Sequence, residues 1–259
     1  MPLYCKPSGQ GHAVILLHGL LGLSDNLSLL AQALAAGYRV LQVDLVNHGR
    51  SPHAGGVNYR SMAADVLALM DEYAIERAAV IGHSMGGKVA MQLAADYPER
   101  IRCLVSVDIA PIAYPQRHND IFVAMKEVQR LGVNSRREAD EIMSDYLDEA
   151  RVRQFLLKSL QKNAHGQWFW QCGLAEIIDS YPAICRAPQI DAPCHVPALF
   201  VRGGASDYIL PPAEAVIGQL FAEAEIQTID NASHWLHVEY PQLFHQLVLD
   251  FLEHNHVQD

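Results

Sequence analysis

Gly82-His83-Ser84-Met85-Gly86 sets a serine between two small residues, directly after the apolar run Ala78-Ala-Val-Ile and directly before the helical pattern Met85 to Tyr97. A serine hydroxyl attacks a carbonyl only when a base takes its proton, an acid orients that base, and donors meet the developing oxyanion. In a strand-turn-helix setting the turn lifts the hydroxyl above the sheet, and the flanking glycines are small because larger side chains would collide with strand and helix. Elsewhere in a fold such a serine would be only a helix N-cap. Its setting here points to acyl transfer with Ser84 as the nucleophile.

The base follows the nucleophile along the chain where the order is Ser, Asp, His. Among thirteen histidines, His234 fits best, in Asn231-Ala-Ser-His-Trp-Leu between the last strand pattern and the last helix. His83, beside the nucleophile, and His237, one helical turn beyond His234, are its rivals; His195, His245, His254 and His256 precede a strand or lie on the final helix and tail. Two acids satisfy the order. Asp207, in Gly203-Gly-Ala-Ser-Asp207, is the one that spacing favours, and Asp108 ends the preceding strand; their plainer readings are a surface turn and a loop cap. The oxyanion donors expected are the backbone amides of Met85 and of Leu20, the latter in the turn His18-Gly-Leu-Leu-Gly22.

These residues need a scaffold that brings strand ends together. Apolar runs at Ala13–Leu17, Arg39–Asp44, Ala78–Gly82, Ile101–Val107, Pro197–Arg202 and Glu225–Ile229 read as strands. Between them, Asn26–Ala36, Tyr59–Tyr73, Met85–Tyr97 and Pro212–Phe221 read as helices, with a last one over Pro241–Glu253. Such alternation predicts an α/β fold with a mostly parallel sheet, helices on both faces, and ligands at the carboxyl ends of the strands. The rhythm breaks at Pro111. From Asn119 to about Pro188 only helical signals occur, among them the capping pair Ser135 and Glu138 and the run Val152, Phe155, Leu156, Leu160. The expectation is a core of residues 1–110 and 188–259 with an all-helical cap, 111–187, inserted in it.

The chain has 259 residues, half of them apolar, with no charge run, repeat or low-complexity tract, which excludes disorder and collagen-like structure. No apolar run approaches the ~18 residues of a membrane span, and Met-Pro-Leu-Tyr-Cys-Lys lacks a signal-peptide core, so a cytoplasmic location is expected. Five cysteines without a CxxC pair fit a reducing compartment and argue against a zinc site or disulfide frame. A net charge of −10 disfavours nucleic acid and anionic membranes as partners. Residues 111–187 hold ten basic and ten acidic side chains, so the deficit lies wholly in the remainder.

Together these features resemble the α/β-hydrolase fold family over nearly the whole chain. Within it, His18-Gly-Leu-Leu-Gly, Gln42-Val-Asp-Leu-Val-Asn-His-Gly-Arg-Ser51, Gly82-His-Ser-Met-Gly-Gly-Lys88, Val107-Asp-Ile-Ala-Pro111, Phe155-Leu-Leu-Lys-Ser159, Gly203-Gly-Ala-Ser206 and Ala232-Ser-His-Trp235 are similar to the bacterial YbfF-type esterases, which act on acyl esters and acyl-CoA thioesters. That resemblance implies Asp108 rather than Asp207 as the acid, with Ser206 assisting the histidine. The chain departs from the group in having Asp207 beside Ser206, Val46 where relatives often carry an arginine, and Ala232 for a common glycine.

The function expected is therefore a serine esterase or thioesterase working on a small-molecule acyl ester or thioester, with no metal or organic cofactor. A carbon–carbon bond hydrolase of the same fold and a non-catalytic ligand-binding protein are the alternatives; an aspartate in place of Ser84 would be needed for a haloalkane dehalogenase. Phe122, Phe155, Trp168, Phe169 and Trp170 are the aromatics available to line an acyl channel, and Lys126, Arg130, Arg151, Arg153, Lys158 and Lys162 the cations available to leaving-group phosphates. Oligomeric state has no signature in the sequence.

Overall fold

Alternation along the strand His12–Leu17 decides the layering: Val14 and Leu16 join one hydrophobic cluster, Ile15 and Leu17 another on the opposite face. The computed structural model describes residues 2–256; Met1 and 257–259, the last three of the expected core segment, lie outside the described residues. The strands of the main sheet are Cys5–Ser8 (β1), His12–Leu17 (β2), Tyr38–Val43 (β3), Ala78–His83 (β4), Ile101–Val107 (β5), Ala198–Gly203 (β8) and Ala224–Ile229 (β9). Leu160–Lys162 (β6) and Trp168–Trp170 (β7) pair separately. The sheet order is β1-β3-β2-β4-β5-β8-β9, with β1 antiparallel and every other pairing parallel.

Helices cover both faces. Tyr59–Glu72 (α2), Met85–Asp96 (α3) and Pro211–Leu220 (α8) supply Met62, Val66, Val89 and Ile217 to one cluster. Ser28–Leu34 (α1) and Pro241–His256 (α9) supply Leu30, Leu34, Phe244 and Val248 to the other. Each large aliphatic or aromatic side chain buried this way stabilises the fold by roughly 1.5–3 kcal/mol relative to exposure.

Between β5 and β8 run Asn119–Leu131 (α4), Arg136–Ser144 (α5), Ala150–Leu157 (α6) and Leu174–Ile184 (α7), the four helices expected there. They enclose a cluster of their own, with Phe122, Met125, Leu156, Trp170 and Ile177, into which the core residue Leu21 also packs. Ser135 caps α5 by accepting from Glu138 N, whereas the Glu138 carboxylate reaches past Ser135 to Asn134 N at 2.7 Å.

Two elements differ from the reading of the sequence. The inserted segment is not all helical, because α6 stops at Leu157 and Leu160 opens the β6–β7 hairpin. Asn163 Oδ1 accepts from His165 N and Gln167 N, and Gly166 turns the chain at φ 79°, a conformation natural for glycine. β1 was not anticipated either. It has four residues, one of them Pro7, which a sheet tolerates at its edge where the missing N–H breaks no ladder. Among the described residues no helix is long and apolar enough to cross a membrane.

Candidate active site

Ser84 sits between β4 and α3 at φ 52°, ψ −119°, a backbone conformation that costs a non-glycine residue of order 1–3 kcal/mol. The turn is locked by neighbours. A Cβ on Gly82 would lie 2.1 Å from Gly86 O, one on Gly86 2.4 Å from Leu17 O, and one on Gly87 2.5 Å from Ile109 Cγ2. Ser84 N donates to Val107 O at 3.0 Å, so the turn is also tied to the end of β5, where Asp108 begins.

Asp108 is fully buried and held at φ 51°. His234 Nδ1 donates to Asp108 Oδ2 at 2.7 Å, Ser206 Oγ donates to the same oxygen at 2.5 Å, and Gly203 N donates to Oδ1 at 2.9 Å. Three donors thus compensate a buried carboxylate that would otherwise be costly. Asp207 is elsewhere: its carboxylate pairs with Arg117 at 2.6 Å on the exposed surface. The geometry therefore brings Asp108, Ser206 and His234 together and leaves Asp207 out.

The His234 loop is held from two further sides. His83 Nε2 donates to the His234 carbonyl at 2.9 Å, and Tyr208 stacks on the His234 ring, centroids 4.0 Å apart and planes 16° from parallel. Tyr208 is itself placed by Tyr114, whose hydroxyl donates to Tyr208 O at 2.6 Å. His237 packs against His83 at 4.4 Å. Burial and the neighbouring imidazoles hold His83 well below its ordinary value and push His237 down to about 3, so both are neutral props. Tyr208 and Tyr114 were not singled out in the sequence, where single tyrosines in loops carry no signal.

The turn after β2 is braced by histidines too. His18 donates from Nδ1 to Gly19 O at 2.7 Å and accepts at Nε2 from Leu45 N at 3.1 Å. His48 donates from Nδ1 to Val46 O at 2.8 Å and accepts at Nε2 from Leu21 N at 3.1 Å. Each ring thus fixes the loop that carries the other. Burial pushes His18 down to about 4 and His48 to about 3, so each keeps the neutral tautomer this lattice requires. Asp44, in the same Asn-His-Gly-Arg-Ser neighbourhood, accepts from Ser24 N and Arg50 N, and a side chain on Gly49 would strike its carboxylate.

Ser84 opens on a cavity of about 50 Å³ whose walls include Leu20, Met85, Ile109, Tyr114 and Tyr208. The aromatics proposed for a channel lie outside it. Phe122 is one ring removed, 4.9 Å edge-on to Tyr181, and Phe155 packs 4.5 Å from Trp235, the neighbour of His234. Trp170 is buried, donating Nε1 to Met125 O at 2.9 Å, while Trp168 lies under Arg136 and Lys162 beside a separate cleft of about 800 Å³. Phe169 is exposed.

Residues 12–241 match the profile of the α/β-hydrolase fold. The chain belongs to the α/β-hydrolase family. Among α/β-hydrolases it is 40% identical to esterase YbfF of Escherichia coli K12 over 88% of each chain. It is 38% identical to the sn-1-specific diacylglycerol lipase ABHD11 of Mus musculus, over 93% of this chain and 80% of that protein. A solved structure described as a marine microorganism esterase superposes with a TM-score of 0.91 at 36% identity, covering 96% of this chain and 99% of the other. In this α/β-hydrolase, as the geometry above sets out, the serine turn and the Asp108–His234 pair lie at the carboxyl ends of β4, β5 and β9.

Proposed function

We propose that the protein is a serine esterase that hydrolyses carboxylic esters or acyl thioesters through an acyl-enzyme on Ser84. The observation that carries this reading is the hydrogen-bonded pair Asp108–His234 beside a serine held in a strained turn. With its proton on Nδ1 and donated to Asp108, His234 presents an unprotonated Nε2, the form that accepts the Ser84 proton. The Ser84 oxygen then bonds to the acyl carbon, the carbonyl electrons move onto oxygen, and the amides of Leu20 and Met85 receive the charge. Collapse expels the alcohol or thiol, which takes the proton from His234; water repeats the sequence and frees the acid. The Leu21 amide is committed to His48, which supports Leu20 as the donor from its loop.

Asp108 serves as the acid that orients and stabilises the imidazolium, with Ser206 fixing the carboxylate; Asp207 serves at the surface. Residues 111–187 act as a cap over the strand ends of a core formed by 1–110 and 188–259. The small cavity favours short acyl groups. For a thioester, Lys158 and Lys162, which border a cleft of about 780 Å³ with Arg50 and Arg136, offer cations to leaving-group phosphates. None of these steps calls for a metal or an organic cofactor.

The test is a matched panel of oxygen esters and CoA thioesters, from acetyl to palmitoyl, given to the protein and to Ser84→Ala. Turnover greatest for short acyl groups and lower by on the order of 10⁴-fold or more in the variant is expected. Activity that survives the substitution, or none on any substrate, would overturn the reading in favour of a carbon–carbon hydrolase or a binding role.

A further inference from the structure

Lys88 lies one helical turn past Ser84 on α3, is 2% exposed, and has no part in the acyl-transfer steps above. Its Nζ donates to Arg186 O at 2.7 Å, between the rings of Tyr114 at 4.7 Å and Tyr59 at 5.5 Å. Two other buried side chains grip the same stretch of chain, where it leaves the inserted segment for the core. Tyr59, on α2, donates its hydroxyl to Ile184 O at 2.5 Å. Gln92, one turn past Lys88, donates Nε2 to Gln189 O at 2.9 Å and accepts at Oε1 from Gln189 N at 2.7 Å. Successive backbone groups at 184, 186 and 189 are thereby held by side chains of the core.

Two spaces border this row of contacts, and Tyr59 lines both, while Lys88 lines the one at Ser84. One is the cavity of about 50 Å³ at Ser84, whose wall includes Tyr59, Lys88, Ile184 and Cys185. The other is a groove of about 390 Å³ bounded by Tyr59, Gln92, Ser180, Arg186 and Gln189. We propose that Lys88 and Tyr59 form a partition that closes the acyl cavity and sets the longest acyl chain the enzyme accepts.

The proposal rests on the esterase reading and names the feature that selects its substrates. The space at Ser84 is small, about 50 Å³, so on this proposal long acyl chains are the ones the partition stops. The chemistry of the wall suits the task. The lysine stem fills space as an apolar side chain would, while its head satisfies a carbonyl that an apolar residue would leave buried and unpaired. Burial lowers the ammonium to about 7, and a neutral amine keeps the N–H given to Arg186, so the wall does not depend on the charge.

The experiment compares kcat/KM for p-nitrophenyl butyrate and p-nitrophenyl octanoate in the unaltered protein, Lys88→Ala and Tyr59→Ala, which open the partition from different helices. The ratio of octanoate to butyrate is expected to rise tenfold or more in each, as the cavity joins the groove. In Lys88→Met and Tyr59→Phe, which keep the bulk, the short-chain preference is expected to persist. If both alanine variants turn over butyrate with the original ratio, or if the unaltered protein prefers octanoate, the partition is refuted. If the unaltered protein hydrolyses neither ester, the esterase reading itself falls. Should one alanine variant fail to fold, the other decides the matter from the other half of the partition.

Discussion

His83 Nε2 donates to the backbone carbonyl of His234 at 2.9 Å, so the residue next to Ser84 holds the loop that carries His234. Ser84 and His234 are 150 positions apart in the chain, yet one ring registers them, because residues 83 and 84 move together on a locked turn. Replacing His83 by Ala is expected to lower kcat by about 10² with little change in KM, the scale of a misplacement near 1 Å. His83→Gln, whose amide can still donate, is expected to recover part of the loss. Steady-state kinetics on a short ester check both; a KM effect without a kcat effect would speak against the positioning role.

Asp108 and Asp207 should separate cleanly. Asp108→Asn disturbs the histidine tautomer and is expected to lower kcat by on the order of 10⁴, while Asp207→Asn changes only an exposed ion pair with Arg117 and is expected to leave kcat within about twofold. Ser206→Ala, which removes one of three donors to Asp108, is expected to fall between them. Pre-steady-state acylation rates of the three variants measure this directly.

Backbone crowding makes the serine turn intolerant. Gly86→Ala would place a methyl 2.4 Å from Leu17 O and 2.6 Å from His18 O, atoms of a central strand and its loop that cannot give way. A loss of about 3 kcal/mol or more in urea unfolding is expected. Gly218, within α8 with open space around it, is the contrast: Gly218→Ala is expected to stabilise by about 0.5–1 kcal/mol.

How much of this was legible in the sequence follows from what each element signals. Five-residue apolar runs such as Ala13–Leu17 announce strands, because strands covered on both faces tend to read as near-continuous apolar runs. The serine turn and the His234 loop are legible because a glycine-flanked serine after a strand, and a histidine in the last loop, are rare together. The pairing of Asp108 with His234 is not, since spacing favours Asp207 and only resemblance pointed the other way; its left-handed backbone and its three donors depend on tertiary contacts. β1 and the β6–β7 hairpin are too short for periodicity, though Gly166 and Trp-Phe-Trp were signals of a turn and a strand. Tyr59, Lys88, Tyr114 and Tyr208 come from four separate parts of the chain and converge only in the fold.

Buried histidines are expected to make the protein acid-sensitive. Burial pushes His18, His48 and His237 down to about 4, 3 and 3, against 6.5 for an ordinary histidine. Above about pH 6.5 folded and unfolded chains both hold these rings neutral, so they add no pH dependence there. As the pH falls below 6.5 only the unfolded chain takes up the protons, and stability declines until the folded values are reached, by up to about 1.4 kcal/mol per pH unit for each ring. Urea unfolding between pH 7.5 and 4.5 is expected to show this decline, and His48→Phe, which removes one such group, a shallower slope.

The central claim is that Ser84 is the nucleophile driven by His234 and Asp108, and stoichiometric labelling with a fluorophosphonate followed by peptide mapping tests it most directly. The expected result is one adduct per chain, on Ser84, formed more slowly by orders of magnitude in His234→Ala and Asp108→Asn. An adduct on another residue, or labelling of Ser84 at an unchanged rate in both variants, would contradict it.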